Sequence, residues 1–142
     1  MEINKELIVL NESFETKEEA IRAAGQLLYE NGYIETEYIE GMLQREESVS
    51  TYMGNYLAIP HGVNDSRQYV KDTGISFIQV PEGVHFGENQ EVKIIIGIAS
   101  KDDEHLELLQ KIAIFASDIS NMEKLIETDS KDEIINLLTS SD

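Results

Sequence analysis

Two histidines and one arginine are the residues of this chain whose types and positions best suit chemistry. His61 follows the apolar run Leu57-Ala58-Ile59-Pro60 and precedes Gly62, so a proline ends a strand and a glycine permits a turn. His105 stands at the start of a predicted helix, and Arg45 stands near the end of another. In open α/β folds, strand ends and helix N-termini collect ligands at one edge of the sheet. We therefore expect the three side chains to meet in one pocket.

Two imidazoles and a guanidinium suit an anion, and a phosphoryl group in particular. A neutral imidazole nitrogen can attack phosphorus, while an arginine fork stabilises charge on the equatorial oxygens. A zinc site would need a further histidine or carboxylate and gains nothing from a nearby cation, and a hydrolase would need a nucleophile that the sequence does not flag. Each residue also has a plain structural explanation, as a corner histidine, a solvent-facing histidine or a solvated helix charge.

The third histidine, His85, follows Pro81-Glu82-Gly83. Proline and glycine at this spacing predict a tight turn, so we expect His85 to belong to an exposed loop and to take no part in the site.

Composition limits the fold and the partners. A chain of 142 residues that is 41% hydrophobic suits one compact domain over residues 1–142. The formal net charge of -17 repels nucleic acid and anionic lipid and favours a partner with a basic face, although acidity that only keeps the protein soluble is the alternative. Without cysteine there is no disulfide and no thiolate zinc site. With no membrane-spanning run and no signal-peptide pattern, we expect a cytoplasmic protein.

The first half of the chain predicts a strand and two helices. Residues 7–10 are a short apolar run typical of a strand. A capping pattern begins at Thr16, and the helix that follows should end at Asn31-Gly32. A second helix is predicted from about residue 36 to residue 46.

The second half predicts two long strands followed by three helices. Residues 73–80 form one strand, and residues 92–99 are apolar at nearly every position, as in a strand buried on both faces. A helix begins at residues 100–103, and capping patterns at Ser120 and Ser130 predict two more. Strands interleaved with helices indicate an α/β sandwich with helices on both faces of the sheet.

Several stretches together resemble the mannitol-type enzyme IIA domains of the bacterial sugar phosphotransferase system. The resemblance runs from about Ile8 to Leu138. The run Ala-x-Pro-His-Gly marks the broader mannitol, fructose and nitrogen-regulatory group, and the histidine of Glu104-His105 points to the mannitol branch. The stretches that carry the likeness are Met42-Leu43-Gln44-Arg45-Glu46, Thr51-Tyr52-Met53-Gly54, Ala58-Ile59-Pro60-His61-Gly62, Pro81-Glu82-Gly83-Val84-His85-Phe86-Gly87 and Glu104-His105-Leu106.

The resemblance implies a mixed sheet of about five strands flanked by helices, and it implies a phosphocarrier. Such a protein accepts a phosphoryl group on His61 from the histidine of the carrier HPr and passes it to a cysteine of enzyme IIB for uptake of mannitol. His105 matches the second active-site histidine, and Arg45 matches the arginine that helps to hold the phosphoryl group. No cofactor and no metal is implied, since the donor is itself a phosphohistidine.

The resemblance also indicates what the chain lacks. Enzyme IIB needs a cysteine and the permease needs membrane spans, so we expect a free-standing IIA subunit whose IIB partner lies on a separate IIBC membrane protein. Mannitol-type members often have an acidic residue where Asn55 stands, so this position receives no role. The alternative is a nitrogen-type or fructose-type IIA that acts through phosphorylation-dependent protein binding. A third hypothesis is an unrelated metal-dependent hydrolase.

Overall fold

A computed structural model describes residues 3–101 and 104–140, with the side chains of residues 104 and 105 outside this description, and its centre is one sheet. The five strands lie in the order β1-β4-β5-β3-β2. Strand β4 is antiparallel to β5 and parallel to β1, while β3 is parallel to β5 and antiparallel to β2. The strands are β1 (Ile8–Val9), β2 (Tyr52–Gly54), β3 (Leu57–Ala58), β4 (Gly74–His85) and β5 (Glu91–Ala99).

Helices cover both faces of the sheet, which confirms the predicted α/β sandwich with a mixed sheet. Within the described residues none of them has the length and apolar character needed to cross a bilayer. The α-helices are α1 (Lys17–Glu30), α2 (Glu37–Ser48), α3 (Glu104–Ala116), α4 (Ile119–Glu127) and α5 (Lys131–Thr139), and short 3-10 helices span Lys5–Leu7 and Asn64–Tyr69.

Strand β5 is the buried centre of the sandwich, as its apolar sequence predicts. On one face Ile95 packs in the cluster that contains the inner residues of α1 and α2. On the other face Ile94 and Ile96 pack among residues of α3, α4 and α5. Each such side chain stabilises the fold by about 1.5–3 kcal/mol relative to exposure to water. Two helical layers are therefore needed to cover this strand.

Helix ends follow local hydrogen bonding, and one predicted cap is wrong. Thr16 accepts a hydrogen bond from the Glu19 amide at 3.2 Å, as predicted. Helix α4, in contrast, begins at Ile119, and Asp118 rather than Ser120 caps it. The hydroxyl and amide of Ser120 both donate to the Asp118 carboxylate and lower the pKa of that carboxyl. A carboxylate two residues upstream is the stronger acceptor for the first helical amides.

Residues 81–83 lie within β4 and do not form the predicted tight turn. The ladder between β4 and β5 is irregular between Gln79 and Val84, and this break accommodates a proline that has no N–H to donate. The hairpin turns at residues 86–90 instead, where two backbone hydrogen bonds close it. His85 is exposed, as expected, but it ends a strand and pairs with β5.

A buried carboxylate ties the end of α2 to the sheet. Glu46 is 5% exposed, and it accepts hydrogen bonds from the Thr51 amide at 2.9 Å and from the Thr51 hydroxyl at 2.7 Å. Lys17 Nζ lies 3.4 Å from the same carboxylate. The carbonyl of Thr51 then accepts from the Ile59 amide at 3.0 Å. Because a carboxylate removed from water needs such donors, this cluster fixes α2 against the end of β3.

Thr51→Val is expected to destabilise the protein, because it keeps the side-chain shape but removes a donor from the buried Glu46 carboxylate. The free energy of unfolding should fall by about 1–3 kcal/mol in a urea titration. Thr36→Val is the matched control, since the Thr36 hydroxyl donates only to the exposed Glu37 side chain in the part of the chain described here. That variant should stay within about 0.5 kcal/mol of the wild type. Equal stability of the two variants would contradict the role given to Thr51.

Candidate active site

The end of β3 holds His61 against β5. His61 pairs with Ile98 in an isolated parallel bridge, and the Ile98 amide donates to the Pro60 carbonyl at 2.9 Å. His61 is 7% exposed, and its Nδ1 lies 2.8 Å from the Ile59 carbonyl oxygen. A carbonyl oxygen only accepts hydrogen bonds, so in the neutral ring the proton sits on Nδ1 and the lone pair sits on Nε2.

Gly62 is required by close packing and not by an unusual backbone angle. Its φ is not positive, so the left-handed freedom expected from the sequence is not used. A Cβ at this position would clash with Ser66 Oγ and would lie 2.6 Å from Tyr38 Cε1. Only glycine therefore fits at the position that follows His61.

Arg45 and His61 line the same pocket, which has a volume of about 660 Å³. The Arg45 guanidinium donates to the Val49 carbonyl, just beyond the end of α2. A guanidinium has five N–H donors, so this bond orients the group and leaves it able to bind an anion as well. The pocket is larger than a phosphoryl group. Its other lining residues are Ser50, Thr51, Tyr52, Met53, Ile59, Gly62, Val63, Asn64, Leu106, Leu109, Gln110 and Ala113.

His105 lies in the first turn of α3, but its side chain falls outside the described residues. The acidic residues predicted to begin this helix, 102 and 103, fall outside them as well. The next residue along, Leu106, lines the pocket together with Leu109. The N-terminal part of α3 therefore borders the same pocket, and the role expected for the His105 imidazole stays a prediction.

Asn55, which received no role from the sequence, ties the β2–β3 turn to α3. Its side-chain amide donates to the Ala116 carbonyl at 2.8 Å. Asn55 and Tyr56 have φ angles of 49° and 69°, a region that asparagine tolerates better than most residues. The bond satisfies a carbonyl at the end of α3, which a carboxylate could not do. The Asn55 side chain thus connects the β2–β3 turn to α3, and residues of both β2 and α3 line the pocket.

Tyr38 is a residue at this site that the sequence did not identify. It is 4% exposed, and its hydroxyl contacts the backbone on both sides of the His61 corner. Tyr38 and Arg45 are seven residues apart on α2, so they share one helix face. That spacing was available in the sequence, but nothing local indicated that the face meets His61.

The third histidine and the metal-site alternative remain to be compared with the structure. His85 does not line the pocket and stands at the opposite end of the β4–β5 pairing from Ile98. Among the residues that the structure describes, no group of three or more His, Cys, Asp or Glu is arranged to hold a metal ion.

Comparison with known proteins agrees on one family. The family model "Phosphoenolpyruvate-dependent sugar phosphotransferase system, EIIA 2" matches residues 1–141. The chain is 53% identical to the mannitol-specific phosphotransferase enzyme IIA component of Geobacillus stearothermophilus, over 96% of this chain and 94% of that protein. It is 49% identical to the protein of the same name from Bacillus subtilis, over 92% of each chain. It is also 41% identical to the mannitol-specific EIICBA component of Escherichia coli, over 96% of this chain but 22% of that longer protein.

Solved structures give the same result. The complex of mannitol enzyme IIA and phosphorylated mannitol enzyme IIB from Escherichia coli matches with a TM-score of 0.93 and 40% identity, over 98% of each chain. The nitrogen regulatory protein IIA-Ntr of Neisseria meningitidis matches with a TM-score of 0.78 and 30% identity, over 94% of this chain and 93% of that one. The chain therefore belongs to the EIIA 2 family of the phosphoenolpyruvate-dependent sugar phosphotransferase system.

Proposed function

We propose that residues 1–142 form one domain, a cytoplasmic phosphocarrier that accepts a phosphoryl group on His61 from phosphorylated HPr and passes it to mannitol enzyme IIB. The observation that carries the proposal is the contact between His61 Nδ1 and the Ile59 carbonyl at 2.8 Å, in a pocket shared with Arg45. This contact leaves the nucleophilic lone pair on Nε2. Membership of the enzyme IIA family supports the class of reaction.

Phosphoryl transfer takes place in two steps, one from HPr to His61 and one from His61 to enzyme IIB, and each step exchanges one bond to phosphorus. Nε2 of His61 attacks the phosphorus of the donor phosphohistidine in line, the new N–P bond forms, and the electron pair of the old N–P bond returns to the donor imidazole. The Ile59 carbonyl accepts from Nδ1–H and stabilises the positive charge that the ring gains. A cysteine thiolate of enzyme IIB then attacks the same phosphorus, and the electron pair of the N–P bond returns to Nε2. Because the phosphoryl group arrives on an activated nitrogen, no cofactor and no metal is required.

Arg45 is proposed to hold the equatorial oxygens of the transferring group. Its planar fork can donate two parallel hydrogen bonds to two oxygens, and it offers positive charge on a chain whose formal net charge is -17. His105 is proposed to assist from the start of α3, in keeping with its match to the second active-site histidine of the family.

The comparisons favour mannitol as the sugar of the pathway. Identity to the named mannitol-specific components reaches 53%, whereas identity to the nitrogen regulatory protein is 30%. The complex of the Escherichia coli IIA with phosphorylated IIB supports an IIB partner, and the fused EIICBA protein supports a IIB that lies with its permease. The acceptor proposed for this protein is therefore mannitol enzyme IIB of a membrane permease.

His61→Ala is expected to abolish phosphorylation, because it removes the only proposed nucleophile. With phosphoenolpyruvate, enzyme I and HPr, the wild type should gain one acid-labile phosphoryl group, measured by intact-protein mass. His85→Ala is the matched control, since it removes an exposed histidine that does not line the pocket, and it should label like the wild type. A phosphoryl group on the His61→Ala protein would refute the assignment.

Arg45→Gln is expected to slow transfer from phosphorylated HPr by about ten- to a hundredfold, because hydrogen bonds to charged groups contribute about 1.5–3 kcal/mol. Rapid-quench single-turnover kinetics measure this rate. Arg22→Gln is the control, since Arg22 pairs with Glu40 on the exposed surface and does not line the pocket. Equal rates for the two variants would count against Arg45.

Association with phosphorylated HPr is expected to slow as salt rises, because the charge of -17 attracts a partner with a basic face. The second-order rate constant should fall by about tenfold between about 0.01 M and 0.15 M salt, while the rate at saturating donor changes little. Stopped-flow measurements at several ionic strengths test this. A salt-independent rate constant would mean that the acidity serves solubility alone.

A further inference from the structure

The hydroxyl of Tyr38 joins the backbone segments that hold His61 in place. It donates to the Ile98 carbonyl at 2.8 Å and accepts from the Gly62 amide at 2.8 Å. Ile98 is also the residue that pairs with His61, and its amide donates to the Pro60 carbonyl. The residues before and after His61 are therefore both tied to Ile98, one directly and one through Tyr38.

A tyrosine suits this position because the sheet ladder stops here. Beyond the short strand β3, the Gly62 amide and the Ile98 carbonyl meet the Tyr38 hydroxyl instead of each other. Polar backbone groups at a buried strand end need partners, and one neutral hydroxyl can donate and accept at once. Burial raises the pKa of Tyr38 to about 12, so the hydroxyl keeps its proton and remains a donor at neutral pH.

We propose that Tyr38 is a positioning residue for phosphoryl transfer, which fixes the Gly62 peptide against Ile98 and so holds His61 in the orientation in which Nδ1 donates to the Ile59 carbonyl. The inference rests on the proposed function of His61, but it concerns a buried residue that does not line the pocket. On this proposal Tyr38 acts on the tautomer indirectly, because it holds the imidazole where Nδ1 reaches the Ile59 carbonyl. Helix α2 then positions His61 through the contacts of Tyr38, and it also carries Arg45, the residue proposed to bind the phosphoryl oxygens.

Tyr38→Phe removes the hydroxyl and keeps the ring that packs against Gly62. The rate at saturating phosphorylated HPr should fall by about tenfold, because small misplacements of a reacting atom carry such costs, while the KM for HPr changes little. Nitrogen-15 NMR of the unphosphorylated His61 ring should show the Nδ1–H tautomer dominant in the wild type and a more even mixture in the variant.

Ser76→Ala is the matched control for a purely structural effect. The buried Ser76 hydroxyl donates to the Ala24 carbonyl at 2.9 Å, and Ser76 does not line the pocket. Its loss removes one side-chain to backbone hydrogen bond, against the two that Tyr38→Phe removes, so unfolding in urea should show both variants destabilised and Tyr38→Phe the more of the two. Only Tyr38→Phe should alter the tautomer ratio and the saturated rate.

The proposal would be overturned if Tyr38→Phe kept the wild-type tautomer ratio and the wild-type saturated rate. It would also be overturned if Ser76→Ala changed the tautomer ratio and the saturated rate as much as Tyr38→Phe does. Hydrogen exchange in the wild type adds a test that needs no variant: the Gly62 amide should exchange slowly, and rapid exchange would remove the contact on which the inference depends. If the wild type took up no phosphoryl group at all, the proposed function would fail. The tautomer comparison would still decide the role of Tyr38.

Discussion

The parallel pairing between the end of β3 and β5 is the constraint on which the site depends. Strand β3 has only two residues, Leu57 and Ala58, which is too short to be rigid alone. Its partner β5 has nine residues, most of them buried, so the short strand takes its position from a strand that cannot move without disturbing both cores. The register continues past the strand to the His61 and Ile98 pair. The orientation of the imidazole is thus set by the centre of the fold.

Helix α2 is the second rigid element, because one helix carries three side chains that act on the site in different ways. Tyr38 contacts the backbone at Gly62, and Arg45 lines the pocket. Glu46 is buried and binds Thr51, whose carbonyl in turn holds the Ile59 amide. A change in the position of α2 would therefore shift His61, Arg45 and the pocket wall together. Such coupling favours a preorganised site, in which little reorganisation is needed during transfer.

An open pocket suits a carrier better than a deep one. A carrier must release its phosphoryl group to one partner as readily as it accepts the group from another, so tight binding of the phosphorylated form would slow the second step. The pocket described here combines one guanidinium with an apolar rim on which Met53 and Leu106 are 41% and 65% exposed. Two partners that use the same rim in turn would each form a modest and transient contact.

Local patterns in the sequence determined a large part of the architecture. Continuous apolar residues predicted the two-sided burial of β5, and capping patterns correctly located the starts of α1 at Thr16 and of α5 at Ser130. These features depend on residues within a few positions of one another, which is the range over which backbone propensity and caps act. Where a local pattern competed with a stronger neighbour or with the sheet, as at Ser120 and at residues 81–83, the prediction was wrong.

The sequence alone also identified the family and nominated His61, His105 and Arg45 as site residues. Only the tertiary structure decided which ring nitrogen of His61 faces a carbonyl oxygen, why Gly62 must lack a side chain, and what Tyr38 and Asn55 contact. Tyr38 and Ile98 are 60 residues apart along the chain, and Asn55 and Ala116 are 61 apart. No local pattern encodes such contacts, because they exist only after β5 and the helices around it have packed.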